Sequence, residues 1–134
     1  MELKYKNEIS QFDNCDLALF HAIEMESFRW TFEDIDDVRN FEPIYINDTK
    51  RKWENCLGYA LSFFTTQKAS LIRHKELTLD KPKLYKKLGT HIASGQLGTT
   101  DGIASNPDQI KHFDFFTYEN VVLNQKFTIL ESIE

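Results

Sequence analysis

Hydrophobic and polar positions alternate most clearly over residues 58–64, where Leu61 and Phe63 fall on one side of an extended chain. Immediately afterwards the apolar spacing lengthens, with Ala69 and Ile72 three residues apart and hydroxyl residues available as the N-cap. A side-chain period of two followed by one near that of a helix indicates a strand that leads directly into a helix. This order predicts a core that combines a sheet with helices.

Further strands follow from the same alternation. Residues 16–22 alternate as in a strand, although Leu17 and Phe20 also recur as in a helix, and we favour the strand. The segment 41–46 is expected to be a short extended edge because it contains a proline. The predicted strands are residues 16–22, 58–64, 90–94, 112–116 and 126–130.

Capping signals place the helices. Thr31 followed by Asp34 resembles a capping box, and Pro82 with Gly89 delimits a later helix at its two ends. The predicted helices are residues 31–38, 49–57, 66–74 and 80–88. Together these elements predict an α+β fold in which a mixed or antiparallel sheet of four to five strands packs with three to four short helices.

The length and composition fit one compact domain over residues 1–134. Apolar residues make up 41% of the chain and charged residues 28%, which is ordinary globular usage. Eleven phenylalanines supply large rings for a core, and each buried ring contributes roughly 1.5–3 kcal/mol. We therefore expect the chain to fold without a metal or disulfide framework.

The net charge of −5, from 21 acids and 16 bases, argues against nucleic acid as a partner, because such binding depends on clustered Lys and Arg. The basic run Lys81–Lys87 is expected to be a solvated helix face. The first residues lack an apolar leader core, and no apolar run is long enough to span a bilayer. These features predict a cytoplasmic protein that does not enter the membrane.

The two cysteines, Cys15 and Cys56, are too few and too far apart in sequence for a secreted disulfide framework. Free cysteines are usually small buried hydrophobic residues, and this is our expectation here. A less favoured alternative makes Cys56 a nucleophile with His74, His91 or His112 as its base.

Two other segments carry candidate chemistry. The glycine loop 95–102 lacks the lysine that a phosphate-binding loop needs, so a flexible connector is favoured. His112 and Asp114 alternate onto one strand face, and with His91 they could form a metal site. Hydrogen-bonded polar residues on a half-exposed strand are the favoured interpretation, and no metal or cofactor is predicted.

The run 61–66, Leu-Ser-Phe-Phe-Thr-Thr followed by a helix, resembles the middle element of small NAD-using ADP-ribosyltransferases. In that family a split mixed sheet carries Arg or His on an early strand, Ser or Thr on a middle strand and an acid on a late strand. The resemblance implies an NAD pocket in which His21 and Glu119 would serve as the outer two residues.

The favoured function is a protein-binding module, such as an inhibitor, an immunity-type protein or an adaptor. The acids Glu33, Asp34, Asp36 and Asp37 would steer a basic protein partner, and Trp30 would anchor it. The alternative is an enzyme with an ADP-ribosyltransferase-like pocket beside the 95–102 loop, using His21, Ser62 or His112. A deep cleft where imidazole, hydroxyl and carboxylate groups converge would favour this alternative.

Overall fold

The strands pair into one antiparallel sheet in the computed structural model, which describes residues 1–48 and 55–133. The order of the strands across the sheet is β4-β5-β2-β1-β3-β6. All the strand pairs are antiparallel, and six strands replace the four to five predicted. The strands are β1 Met25–Thr31, β2 Leu61–Phe64, β3 His91–Leu97, β4 Gly102–Ala104, β5 His112–Thr117 and β6 Phe127–Ser132.

Four of these strands, β2, β3, β5 and β6, overlap predicted ones, whereas β1 and β4 were not predicted. The strand predicted over residues 16–22 is wrong. The Asp16 carboxylate accepts a hydrogen bond from the amide of Ala18 and starts a 3₁₀ turn over Leu17–Leu19. Within residues 16–22, only His21 makes an isolated bridge, to Ala104. A local side-chain bond therefore overrides the weak alternation.

The helices are α1 Lys6–Ile9, α2 Ile44–Asn47, α3 Gln67–Asp80 and α4 Tyr85–Leu88. Thr66 caps α3 as predicted, since its hydroxyl accepts from the amide of Ala69 at 3.1 Å, and α3 runs six residues beyond the predicted end. Gly89 ends α4 as predicted, with a φ of 122°.

Two predicted helical or extended segments differ from the structure. The helix predicted at 31–38 is wrong; in its place Asp37 caps a 3₁₀ turn over Val38–Phe41. The extended segment predicted at 41–46 is also wrong, because α2 forms there after Pro43, a residue suited to the start of a helix. The helix predicted at 49–57 lies partly outside the described residues, and its end is the 3₁₀ helix Cys56–Tyr59. Further 3₁₀ turns cover Pro82–Leu84 and Leu123–Gln125.

Both faces of the sheet carry an apolar cluster. Phe63 and Phe64 are neighbours in β2 and point to opposite faces. Phe63 joins Phe113, Phe115 and Phe127 in the larger cluster. On the other face, Phe28, Phe64 and Ile92 pack with residues of α3. The phenylalanine content is therefore used on two sides of one sheet.

The glycine loop 95–102, predicted as a flexible connector, consists of the end of β3, a hydrogen-bonded turn and the start of β4. Gly95 lies in β3 and Gly102 in β4. Between them, the buried carboxylate of Asp101 accepts hydrogen bonds from the amide of Gly98 at 2.7 Å and from Lys126 Nζ at 2.9 Å. Both hydrogen bonds are charge-assisted, and together they hold the turn in place.

The expectation of free cysteines is wrong, because Cys15 and Cys56 form a disulfide with a Cα–Cα distance of 5.4 Å. Their separation of 41 residues along the chain says nothing of their distance in the fold. Ile9, Phe12 and other N-terminal residues pack around Cys56 in a third apolar cluster, which brings the two sulfur atoms together. A disulfide-bonded sulfur is not a nucleophile, so the proposed role of Cys56 as one is also excluded.

Among residues 1–48 and 55–133, no helix has the length and apolar character needed to cross a bilayer.

Candidate functional site

The two central strands of the sheet separate soon after they meet. β1 pairs with β3 along its full length but with β2 only at Phe28 and Phe64. Continuing that register would place Trp30 opposite Ser62, yet no pairing exists there. Instead, the Arg29 guanidinium bridges to the far strand, with Nη1 donating to the Ser62 carbonyl at 2.8 Å. The sheet is therefore split between β1 and β2, with a cation at the split.

Arg29 has no anionic partner among the described residues. Its Nε donates to the Asn40 carbonyl at 2.7 Å, and its Cζ lies 6.0 Å and 5.6 Å from the ring centres of Phe41 and Phe63. Burial lowers the pKa of Arg29 to about 10, which leaves it charged at neutral pH. An arginine has five N–H donors, and two are used here, so donors remain for an anion.

Asn40 holds the carbonyl that receives Arg29. Its side chain is buried, and its Oδ1 accepts from the amide of Phe32 at 2.7 Å. Its Nδ2 donates to the carbonyls of Asp34 at 2.8 Å and Ile35 at 3.2 Å. This single asparagine ties the loop after β1 into a fixed shape, which positions Arg29 at the split.

A cavity of about 420 Å³ opens at the split, and we call it the β1–β2 cavity. Three cationic side chains, Arg29, Arg39 and Lys87, line it. Trp30 and Phe32 contribute aromatic surface. The volume lies within the range of roughly 300–1,000 Å³ that is usual for small-molecule sites.

Ser62 and Asp114 line the same cavity from the next two strands. They are direct partners across the β2–β5 pair, so their side chains share one face of the sheet. Ser62 is exposed although β2 is a central strand, because β1 turns away from it. Burial raises the pKa of the Asp114 carboxyl, the charge of His112 opposes that rise, and Asp108 adds to it.

The cationic side of the cavity is partly preorganised. Arg39 is held by Asp37 through Nε and Nη2 at 3.1 Å and 2.7 Å, and its Cζ stacks 3.6 Å from the ring centre of Phe32. This pairing lowers the pKa of Asp37 and raises that of Arg39. Lys87 is an exposed residue of α4.

The outer residues proposed from the family resemblance are not at the cavity. Neither His21 nor Glu119 lines it. The backbone of His21 bridges to Ala104 at the sheet edge, and the Glu119 amide donates to the carbonyl of Glu2. Arg29 on β1 and Asp114 on β5 line the cavity instead. The cavity is also not lined by the 95–102 loop.

Arg29 could not be identified from the sequence because β1, the strand that carries it, was not predicted. Asp114 had been weighed as a metal ligand together with His112 and His91. In the described part of the chain no three His, Cys, Asp or Glu side chains gather to hold a metal ion.

The residues predicted to bind a protein partner differ in their exposure to solvent. Trp30 is half-buried; its Nε1 donates to the Ser70 carbonyl at 3.0 Å, and its ring lies 5.2 Å from that of Phe64. Glu33, Asp34 and Asp36 are exposed in the loop that follows β1. Asp37 is half-buried and holds Arg39.

Comparison of the chain with protein-family models, with curated proteins and with solved structures finds no match.

Proposed function

We propose that the β1–β2 cavity binds NAD and that the protein transfers its ADP-ribose moiety to an acceptor. One observation carries the proposal: adjacent strands β1, β2 and β5 place Arg29, Ser62 and Asp114 around a single cavity where the sheet splits. This arrangement supports the resemblance to ADP-ribosyltransferases, in which an early strand supplies Arg or His, a middle strand Ser or Thr, and a late strand an acid.

The charges of the cavity suit a dinucleotide. The pyrophosphate of NAD carries two negative charges, and Arg29, Arg39 and Lys87 line the cavity, with Arg39 already paired to Asp37 and Glu42 also in the lining. Trp30 and Phe32 provide aromatic surface against which a flat nicotinamide ring can pack. The hydroxyl of Ser62 and the carboxylate of Asp114 remain for the ribose.

The reaction breaks the bond between ribose C1′ and the nicotinamide nitrogen. The bonding electron pair goes to that nitrogen, so neutral nicotinamide leaves and positive charge develops on the ribose as an oxocarbenium ion. A carboxylate close to that charge stabilises the transition state, and in this proposal Asp114, which lines the cavity, has that role. The acceptor nucleophile, or water, then bonds to C1′ and loses a proton.

The test is release of nicotinamide from NAD by the purified chain. Asp114→Asn keeps the shape of the side chain but removes its charge, and we expect it to lower the rate by roughly 10²–10³-fold. Ser62→Ala alters only an exposed hydroxyl and should weaken NAD binding or turnover without loss of thermal stability.

His21→Ala and Glu119→Gln are the matched controls, since both residues lie outside the cavity. They should retain the wild-type rate. No nicotinamide release and no NAD-induced rise in Tm, in a protein that is folded, would contradict the proposal.

Docking to a basic protein is the second candidate function, and one observation favours it. Glu33, Asp34 and Asp36 are all exposed in one short loop of a chain with net charge −5. Acids grouped in this way accelerate encounter with a positively charged surface. Because Trp30 is half-buried, we expect the acids rather than its ring to contact the partner protein.

A further inference from the structure

Three side chains form a row that leads to the β1–β2 cavity: Asp108, His112 and Asp114, of which His112 and Asp114 line the cavity. The Nδ1 atom of His112 lies 3.5 Å from Asp108 Oδ2, and its Nε2 atom lies 3.9 Å from Asp114 Oδ1. The imidazole therefore stands between two carboxylates, and one of them, Asp114, is the carboxylate proposed to stabilise the transition state. From this row we infer that His112, oriented by Asp108, keeps Asp114 ionised and is a positioning residue for the proposed reaction.

The turn before β5 is built to present Asp108 to the imidazole. Asp108 Oδ1 accepts hydrogen bonds from the amides of Ile110 and His112, each at 3.0 Å. Its amide donates to the His112 carbonyl at 2.9 Å, and Lys111 closes the turn with a φ of 63°. One carboxylate oxygen is thus fixed by the backbone, which leaves the other facing Nδ1.

The other neighbours of His112 restrict the orientation of its imidazole ring. The Phe64 ring meets it at an angle of 66° with 5.6 Å between the centres. His112 is only about one quarter exposed. With an aromatic ring on one side and Asp108 on Nδ1, the Nε2 atom is directed toward Asp114 and the cavity.

The ionised form of Asp114 is disfavoured by its burial and supported by His112. Burial and the charge of Asp108 both raise the pKa of its carboxyl, and His112 acts in the opposite direction. A protonated Asp114 could not stabilise positive charge on the ribose. The other charged side chains that line the cavity are Arg29, Arg39, Glu42 and Lys87.

The inference rests on the proposed function, but its test needs no nucleotide. The titration of the Asp114 carboxyl is followed by NMR with ¹³C-labelled aspartate, using Asp114→Asn to assign the signal. His112→Gln should move the Asp114 midpoint to higher pH. His112→Lys, which retains a positive charge, should leave the midpoint nearer to that of the wild type.

A structural role for His112 would make the two variants alike. Equal midpoints in His112→Gln and His112→Lys, or a midpoint unmoved from the wild type in His112→Gln, would overturn the inference. His21→Gln is the control, and dispersed amide spectra verify folding of each variant. If NAD is cleaved, the acidic limb of the pH–rate profile should move to higher pH in His112→Gln. The plateau rate should stay within about threefold of the wild-type rate.

Discussion

At the scale of single residues, side chains that conflict with their surroundings identify the candidate site. Ser62 is exposed on a central strand, and Arg29 is a cation without a carboxylate partner among the described residues. Asp114 is a carboxyl whose ionised form is disfavoured by burial. Perturbed groups that gather in a cavity are more often functional than scattered ones. Their meeting at one cavity is what favours an enzyme over a docking module.

The docking alternative makes a prediction about one residue. Glu33 is exposed, and no bond to its side chain is seen among the described residues, so Glu33→Lys changes charge without disturbing the turn at Asp37. If a basic partner docks on the acidic loop, the variant should slow association several-fold and flatten its salt dependence. Stopped-flow mixing with a captured partner measures this, with Glu119→Lys as control. An unchanged association rate would remove the loop from consideration.

At the scale of elements, the split between β1 and β2 depends on one guanidinium that replaces strand pairing. Arg29 satisfies the carbonyls of Ser62 and Asn40 together. Sequence could predict β2 and α3, where the period changes and Thr66 caps the helix. It could not predict the split, because whether an arginine faces solvent or spans two strands depends on partners 11 and 33 residues away.

Replacement of Arg29 should therefore weaken the fold as well as the site. Arg29→Lys cannot reach both carbonyls, and one unpaired part-buried acceptor should cost about 1–3 kcal/mol of the free energy of unfolding. Urea denaturation followed by circular dichroism measures it. Arg39→Lys is the control, since the partly exposed pair of Arg39 with Asp37 should contribute only about 0–1 kcal/mol. Equal stability of the two variants would show that Arg29 does not hold the strands.

At the scale of the whole molecule, the N-terminal segment is joined to the centre of the fold by the Cys15–Cys56 disulfide. Cys56 begins the 3₁₀ helix that leads into β2, and Leu57 and Ala60 of that region line the cavity. The pairing could not be predicted from two cysteines, because it depends on packing around Ile9 and Phe12. Such bonds are typical of oxidising compartments, and the cytoplasmic location stays a prediction from the sequence.

Reduction should destabilise the protein. A cross-link that closes a loop of this size contributes about 3–4 kcal/mol in the chain-entropy account, so Tm should fall by about 10–15 °C in dithiothreitol. Differential scanning calorimetry measures the change, and Cys15→Ser with Cys56→Ser should reproduce it without reductant. Two thiols reactive in the folded, unreduced protein would contradict the disulfide.

The most direct measurement is nicotinamide release from NAD by the wild-type chain beside Asp114→Asn and Glu119→Gln. The account predicts release by the wild type and by Glu119→Gln, and a rate at least about a hundredfold lower for Asp114→Asn with the fold intact. Equal rates in all three proteins, or no release by any of them, would contradict the assignment of the β1–β2 cavity to NAD.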